Sequence, residues 1–142
     1  MQAFYADHFV LPLPSGHRFP MAKYARLRER LASELPGIDM HEALPASDGE
    51  LALVHTPSYI AAIAQGTLPA PLQREIGFPW SPAMAERARR SVGATLQAAR
   101  AVMARGGIAA NLAGGTHHAC ADKGGGFCLF NDFAGAARLM QT

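Results

Sequence analysis

Cysteine is scarce: a chain of 142 residues contains only Cys120 and Cys128, too few for the disulfide framework that small secreted domains rely on. The two flank Gly124-Gly125-Gly126 and are near enough in sequence to pair, but free thiols are the expectation in a reducing compartment. No charged N-terminus leads into a continuous apolar run, so neither a signal peptide nor a membrane span is expected, and a cytoplasmic location is. Charge is sparse as well, with 17% charged residues and thirteen basic against eleven acidic side chains for a net +2. Nothing gathers those cations onto one face: the densest cluster, Glu86-Arg87-Ala88-Arg89-Arg90, fits the wet side of a helix, and no nucleic-acid partner follows. Hydrophobic residues, by contrast, make up 49% of the chain, enough to bury a core and too many for a disordered, self-repelling polymer.

Along the chain, apolar Gln2 to Tyr5 suits a buried opening strand, and Ser15 to Pro20 has the chemistry of a loop. Met21, Tyr24, Leu27, Leu31 and Leu35 then recur at helical steps until Pro36-Gly37 stops them, with a second strand expected over Ile38 to Ala43. Ser47 with Glu50 forms a capping-box signature for a short helix through Val54. Thr56-Pro57 opens another to about Gln65, which leaves His55 at a junction between helices. Residues 66–81 carry Gly66, Pro69, Pro71, Gly77 and Pro79 and are expected to form a long loop. Ser81-Pro82 starts the longest helix, ended by Arg105-Gly106-Gly107, and Ile108 to Leu112 reads as a strand of small and aliphatic residues, buried on both faces if it lies centrally in a parallel sheet. Helices alternating with short apolar strands indicate an α/β domain with parallel strands, in which function gathers at the strands' carboxyl ends.

At the end of that last strand, Gly114 to Phe127 holds five glycines, two histidines and a cysteine. Adjacent histidines on a regular strand would face opposite sides, so His117 and His118 serve one site only if the backbone leaves the strand, a departure Gly114-Gly115 makes easy. Paired imidazoles suit proton transfer near neutral pH. The run Ala121 to Gly126 lacks the Gly-Lys-Ser/Thr ending of a phosphate loop, and His117, His118, Cys120 and Cys128 do not match the spacing of structural zinc ribbons. Asn131-Asp132 reads as a helix cap, Cys128 as a small buried hydrophobe, and Phe130 and Phe133 as core; His8, His17 and His41 read as surface or loop residues.

The segment Asn111 to Ala119, followed by Gly124 to Asp132, closely resembles the paired-histidine and Gly-Phe-Cys-x-x-Asn-Asp segments of the histone deacetylase family, in order and at the expected separation. Leu53 to Ile60 resembles that family's Val-His-(Ser/Thr)-Pro-x-Tyr junction, and Ser15 to Tyr24 its first loop. The resemblance implies an arginase–deacetylase-like parallel sheet flanked by helices, of which residues 1–142 supply the early strands only, as the N-terminal part of a single deacetylase domain of bacterial type. It implies hydrolysis of an acetylated lysine or an acetylated small amine. His118 would be general base and then acid, and His117 would support the developing charge. Gly126 would contact the substrate amide through its backbone, and Phe127 would wall the acyl-lysine tunnel. Zinc is the implied cofactor of the full-length enzyme, with its ligands, its transition-state tyrosine and the carboxylates that orient the histidines all further along and no metal ligand in this chain. The fragment is accordingly expected to be inactive alone and to self-associate through an exposed sheet edge. The alternative is a non-catalytic binding or interaction module on a deacetylase-like scaffold.

Overall fold

The computed structural model describes all residues, Met1–Thr142. Three strands, β1 (Gln2–Tyr5), β2 (Asp39–Glu42) and β3 (Ala109–Asn111), form one sheet in the order β2-β1-β3, and both pairings are parallel. Helix α1 (Lys23–Glu34) links β1 to β2. Helices α2 (Asp48–Leu51), α3 (Pro57–Gln65), α4 (Ala70–Ile76) and α5 (Pro82–Arg105) precede β3, and α6 (Asp132–Leu139) follows the glycine-rich segment.

Local signals explain the helix starts. Ser47 and Glu50 form the reciprocal capping box of α2, and the Thr56 and Ser81 hydroxyls accept N–H bonds from Tyr59 and Met84, with proline in each first turn. The 66–81 segment departs from expectation, because α4 occupies its middle. Pro71 sits in the first turn, where its missing N–H is harmless, and Gly77 caps the end in a left-handed conformation at φ 84°. Three of the residues that looked like breakers, Pro69, Pro71 and Gly77, mark its two ends.

Helix α5 is the spine. Its face carrying Met84, Ala88, Val92 and Leu96 joins Leu51, Tyr59, Ile60, Ile63, Ile76, Leu129 and Phe130 in the main core. A smaller cluster, Phe4, Ala6, Ala43, Ala94 and Ala98, fills the space between α5 and the sheet. Strand β3 lies at the sheet's edge and is only half-buried, so β1 and not β3 is central among these strands. The apolar stripe of α1 is not buried either, and no residue of that helix is fully covered. Phe133, expected in the core, is 58% exposed, because α6 meets α5 through the opposite side, where Gly135 lies close to Leu96 and Val92. These surfaces converge on one groove of about 710 Å³ beside β3, lined by Leu27, Val102, Leu112, Phe133 and Met140.

The approach of α5 to the chain after β2 is tight enough to exclude a side chain at Gly93, where a Cβ would collide with the Leu44 carbonyl. Gly93→Ala should therefore destabilise the fold by roughly 1–3 kcal/mol, the usual cost of overpacking a close contact. Urea denaturation checks this, and a variant as stable as the parent would show that the two backbones are free to separate.

Candidate active site

The two adjacent histidines lie in a segment that has left the sheet: β3 ends at Asn111, and Gly115 takes φ +90°, a region few side-chain-bearing residues enter. Their rings come to the same side, with centroids 4.3 Å apart at 43°, and both are exposed. Gly126 packs directly against the second of them, since a Cβ built there would lie 3.2 Å from Cδ2 of His118. Its neighbour Phe127 joins Phe19 and Phe78, at centroid distances of 5.1 and 5.0 Å. The His17 ring meets Phe127 edge-on, with centroids 5.9 Å apart. The structure thus brings His117, His118, Gly126 and Phe127 into one neighbourhood, with an aromatic cluster beside the imidazoles.

Gly126 and Phe127 adopt left-handed backbone in succession, at φ 55° and 67°, and Phe127 is the only residue other than glycine with a positive φ. A bulky residue there is strained and persists only where its surroundings hold it. The last carbonyls of α4 do so: Glu75 accepts the N–H of Gly126 at 3.1 Å and Ile76 that of Phe127 at 2.7 Å. The helix absent from the sequence reading is therefore what seats Phe127. His17 ties the opening loop to the same place, its Nε2 lying 3.0 Å from the Gly77 carbonyl and its Nδ1 accepting the Phe19 N–H. It is a rim strut and more than a surface residue.

Asn131-Asp132 does more than cap. The Asn131 side chain accepts the N–H of Ala134 as the N-cap of α6, while its amide N–H groups donate to the carbonyls of His117 and Ala119 at 3.2 and 3.0 Å. Asp132 is 0% exposed, and its carboxylate accepts from Gly115 N–H, Thr116 N–H, the Thr116 hydroxyl and the Thr95 hydroxyl at 2.7 to 3.0 Å. Thr95 in turn accepts from Asn111, which also donates to the Ser91 carbonyl on α5. The pair of histidines is thus held from both sides by one dipeptide, a function that spacing alone did not reveal.

The remaining candidates behave as small-residue chemistry predicts. Cys120 and Cys128 are both free. Cys128 is buried, its thiol 3.5 Å from the Gly126 carbonyl and pushed up in pKa chiefly by that burial, so it is no nucleophile. No group of three or more His, Cys, Asp or Glu side chains is placed to hold a metal ion. Asp132, buried against the turn that carries the histidines, has its oxygens committed to N–H and O–H donors. The side chains of residues 1–142 do not fit a zinc site. No helix is long and apolar enough to cross a membrane.

Comparison with known proteins identifies the family of the chain. The family profile described as histone deacetylase domain matches residues 17–142. An uncharacterized protein of Picosynechococcus sp. is 40% identical over 139 residues, 96% of this chain and 46% of that protein. The acetoin utilization protein AcuC of Bacillus subtilis is 42% identical over 105 residues, 68% of this chain and 27% of AcuC. The crystal structure of an HDAC homolog from Aquifex aeolicus shares the fold, with a TM-score of 0.78 at 24% identity over 99% of this chain and 41% of that one. The chain therefore spans less than half the length of these relatives.

Asp132→Asn keeps the side chain's shape but replaces an accepting oxygen with a donor, so it should cost roughly 1–3 kcal/mol of stability. It should also speed amide exchange at Gly115 and Thr116, as read by NMR. Equal stability with unchanged exchange would show that the carboxylate does not hold the loop.

Proposed function

Because the chain belongs to the histone deacetylase family, we propose that it forms the part of a metal-dependent deacetylase that handles the proton and the acyl-amine stem. The observation that carries this reading is the pair of exposed imidazoles 4.3 Å apart, packed against Gly126 and flanked by the aromatic cluster around Phe127. The bond to be broken is the amide between an acetyl group and an amine, on lysine or on a small molecule. His118 accepts the proton of the attacking water and returns it to the departing nitrogen, while His117 supports the negative charge that builds on the carbonyl oxygen. The Gly126 N–H is already spent on Glu75, which leaves its carbonyl to accept the substrate's amide N–H. Phe127, with Phe19 and Phe78 behind it, gives the aliphatic stem an apolar wall.

Zinc belongs to this reading through the family's chemistry, with ligands from sequence outside residues 1–142. Residues 1–142 alone should neither retain stoichiometric zinc after dialysis nor release acetate from an acetyl-lysine peptide, whereas a protein of the relatives' length should do both. In that longer protein His118→Ala should lower kcat by about 10²–10⁴-fold, the range for loss of a general acid–base. Turnover that survives the substitution would remove His118 from the chemistry, and an inert longer protein would favour a binding module.

The same reading includes self-association of residues 1–142 through the unpaired edge of β3 and the apolar groove beside it. Sedimentation velocity should show mass rising with concentration, and Ala109→Pro should reduce it, because the Leu112 N–H bound to the Phe4 carbonyl turns the even residues of β3 toward β1 and leaves the Ala109 N–H on the open edge. A monomer at every concentration would count against the edge.

A further inference from the structure

One buried titratable group has no part in the reading so far. His55, at the junction between α2 and α3, is 3% exposed, and its ring lies 5.2 Å from Phe130 and 5.7 Å from Tyr59. Its Nε2 accepts the backbone N–H of Asn131 at 3.0 Å. A nitrogen that accepts must be bare, so the neutral ring carries its proton on Nδ1, which is buried without a hydrogen-bond partner. Asn131 is the residue that caps α6 through its side-chain oxygen and holds the carbonyls of His117 and Ala119 through its side-chain nitrogen. We infer that His55 is a positioning residue for the paired-histidine segment, fixing it through Asn131 only while the His55 ring is neutral.

The physical reason is a clash of donors. A second proton on the ring places an N–H against the Asn131 N–H, in a site too buried for water to separate them. The junction can then keep the charged ring or keep Asn131, but not both. Around the ring, Tyr59 of α3 spends its hydroxyl on the Leu129 carbonyl, and its own ionisation is pushed far up by burial. The loop that follows the histidine pair presents the carbonyls of Cys120 and Ala121, and Ala121 is further tied by the Thr56 N–H. Cys120 and Asp122 on that loop are exposed, and Asp132 on α6 has its carboxylate turned to Gly115 and Thr116. None of these acids forms an ion pair with His55, and only the carbonyls of Cys120 and Ala121 oppose the cost of a charge there.

Burial holds the His55 imidazole below the ordinary histidine value of 6.5, against a smaller opposing pull from the carbonyls of Cys120 and Ala121. The sign follows. The closed segment favours the neutral ring, so its stability is complete above the unfolded value and is lost as pH falls below it, when the opened state takes up a proton.

The inference depends on the proposed function for its significance, since only a working histidine pair makes the segment's position matter, but it is tested without turnover. Amide exchange of residues 1–142, corrected for the intrinsic effect of pH, gives the protection of segment 115–119 relative to α5. Between pH 7.5 and 5.5 that protection should fall by up to about tenfold, the limit for one proton taken up on opening near 6.5. His55→Gln, whose side-chain carbonyl reaches as far as Nε2 and does not titrate, should keep the protection and abolish its pH dependence. His55→Ala should lose it at both pH values. If the alanine variant does not fold, or the glutamine variant is unprotected throughout, the decision passes to the wild-type ring. There the ¹⁵N titration midpoint of His55 must lie below 6.5, at the pH where the loss of protection levels off. Protection indifferent to pH, a glutamine variant with the wild-type dependence, or a ring midpoint at or above 6.5 would each overturn the inference. A pH-latched segment in a longer protein that never deacetylates would overturn the deacetylase reading alone. An active longer protein whose segment ignores pH would overturn this inference alone.

Discussion

Four donors converge on the buried carboxylate of Asp132, and the placement of the candidate site depends on that convergence. Two come from the backbone of Gly115-Thr116, one from the Thr116 hydroxyl and one from Thr95 on α5. A glycine-rich segment has a large conformational entropy to lose, about 1–2 kcal/mol per ordered residue, and no side chains of its own to offset it. Bonds to a charged acceptor are the stronger kind, and here they anchor the turn on the side nearest the sheet. Asn131 anchors the other side. Apart from the Asn131 N–H on His55, the hydrogen bonds of this dipeptide meet backbone groups and hydroxyls and never the rings of His117 and His118, so they fix where those two rings sit and leave their nitrogens free for chemistry.

That division explains what could be read in advance and what could not. Ser47, Thr56, Ser81 and Asn131 announced the helices they cap, because a cap is a contact within four residues. The exit from the strand at Gly114-Gly115 was legible for the same reason, as was the grouping of the two histidines. Pro71 and Gly77 were misread as breakers, although they stand at the start and end of α4, where each is tolerated or favoured. Proline and glycine mean opposite things inside a helix and at its limits, and a helix of two turns offers too little periodicity to tell which applies.

The other misses are long-range. Strand order is decided by pairing across the chain, so the apolar Ile108 to Leu112 gave no sign that β3 would lie at an edge beside β1. The left-handed backbone of Phe127 depends on carbonyls some fifty residues earlier, on Glu75 and Ile76. Asp132 looked like part of a cap because its helix begins there, whereas its partners lie on α5 and in the glycine turn. Phe133 looked like core because α6 is amphipathic. It instead faces the groove, on a side of the helix that none of the other elements covers.

The groove and the clamp are two sides of one arrangement. Asp132, Asn111, Gly114 and Gly115 all contribute to the wall of the groove beside β3, yet the same residues form the hydrogen-bonded network that holds the histidines. Asp132 itself remains at 0% exposure, so the network is shielded from water by its own immediate neighbours even where the apolar surface stands open. Its bonds are therefore made in a medium of low polarity, where each is stronger and each broken one costs more. Anything that packs into the groove would lie against the back of the turn carrying His117 and His118, without touching either ring.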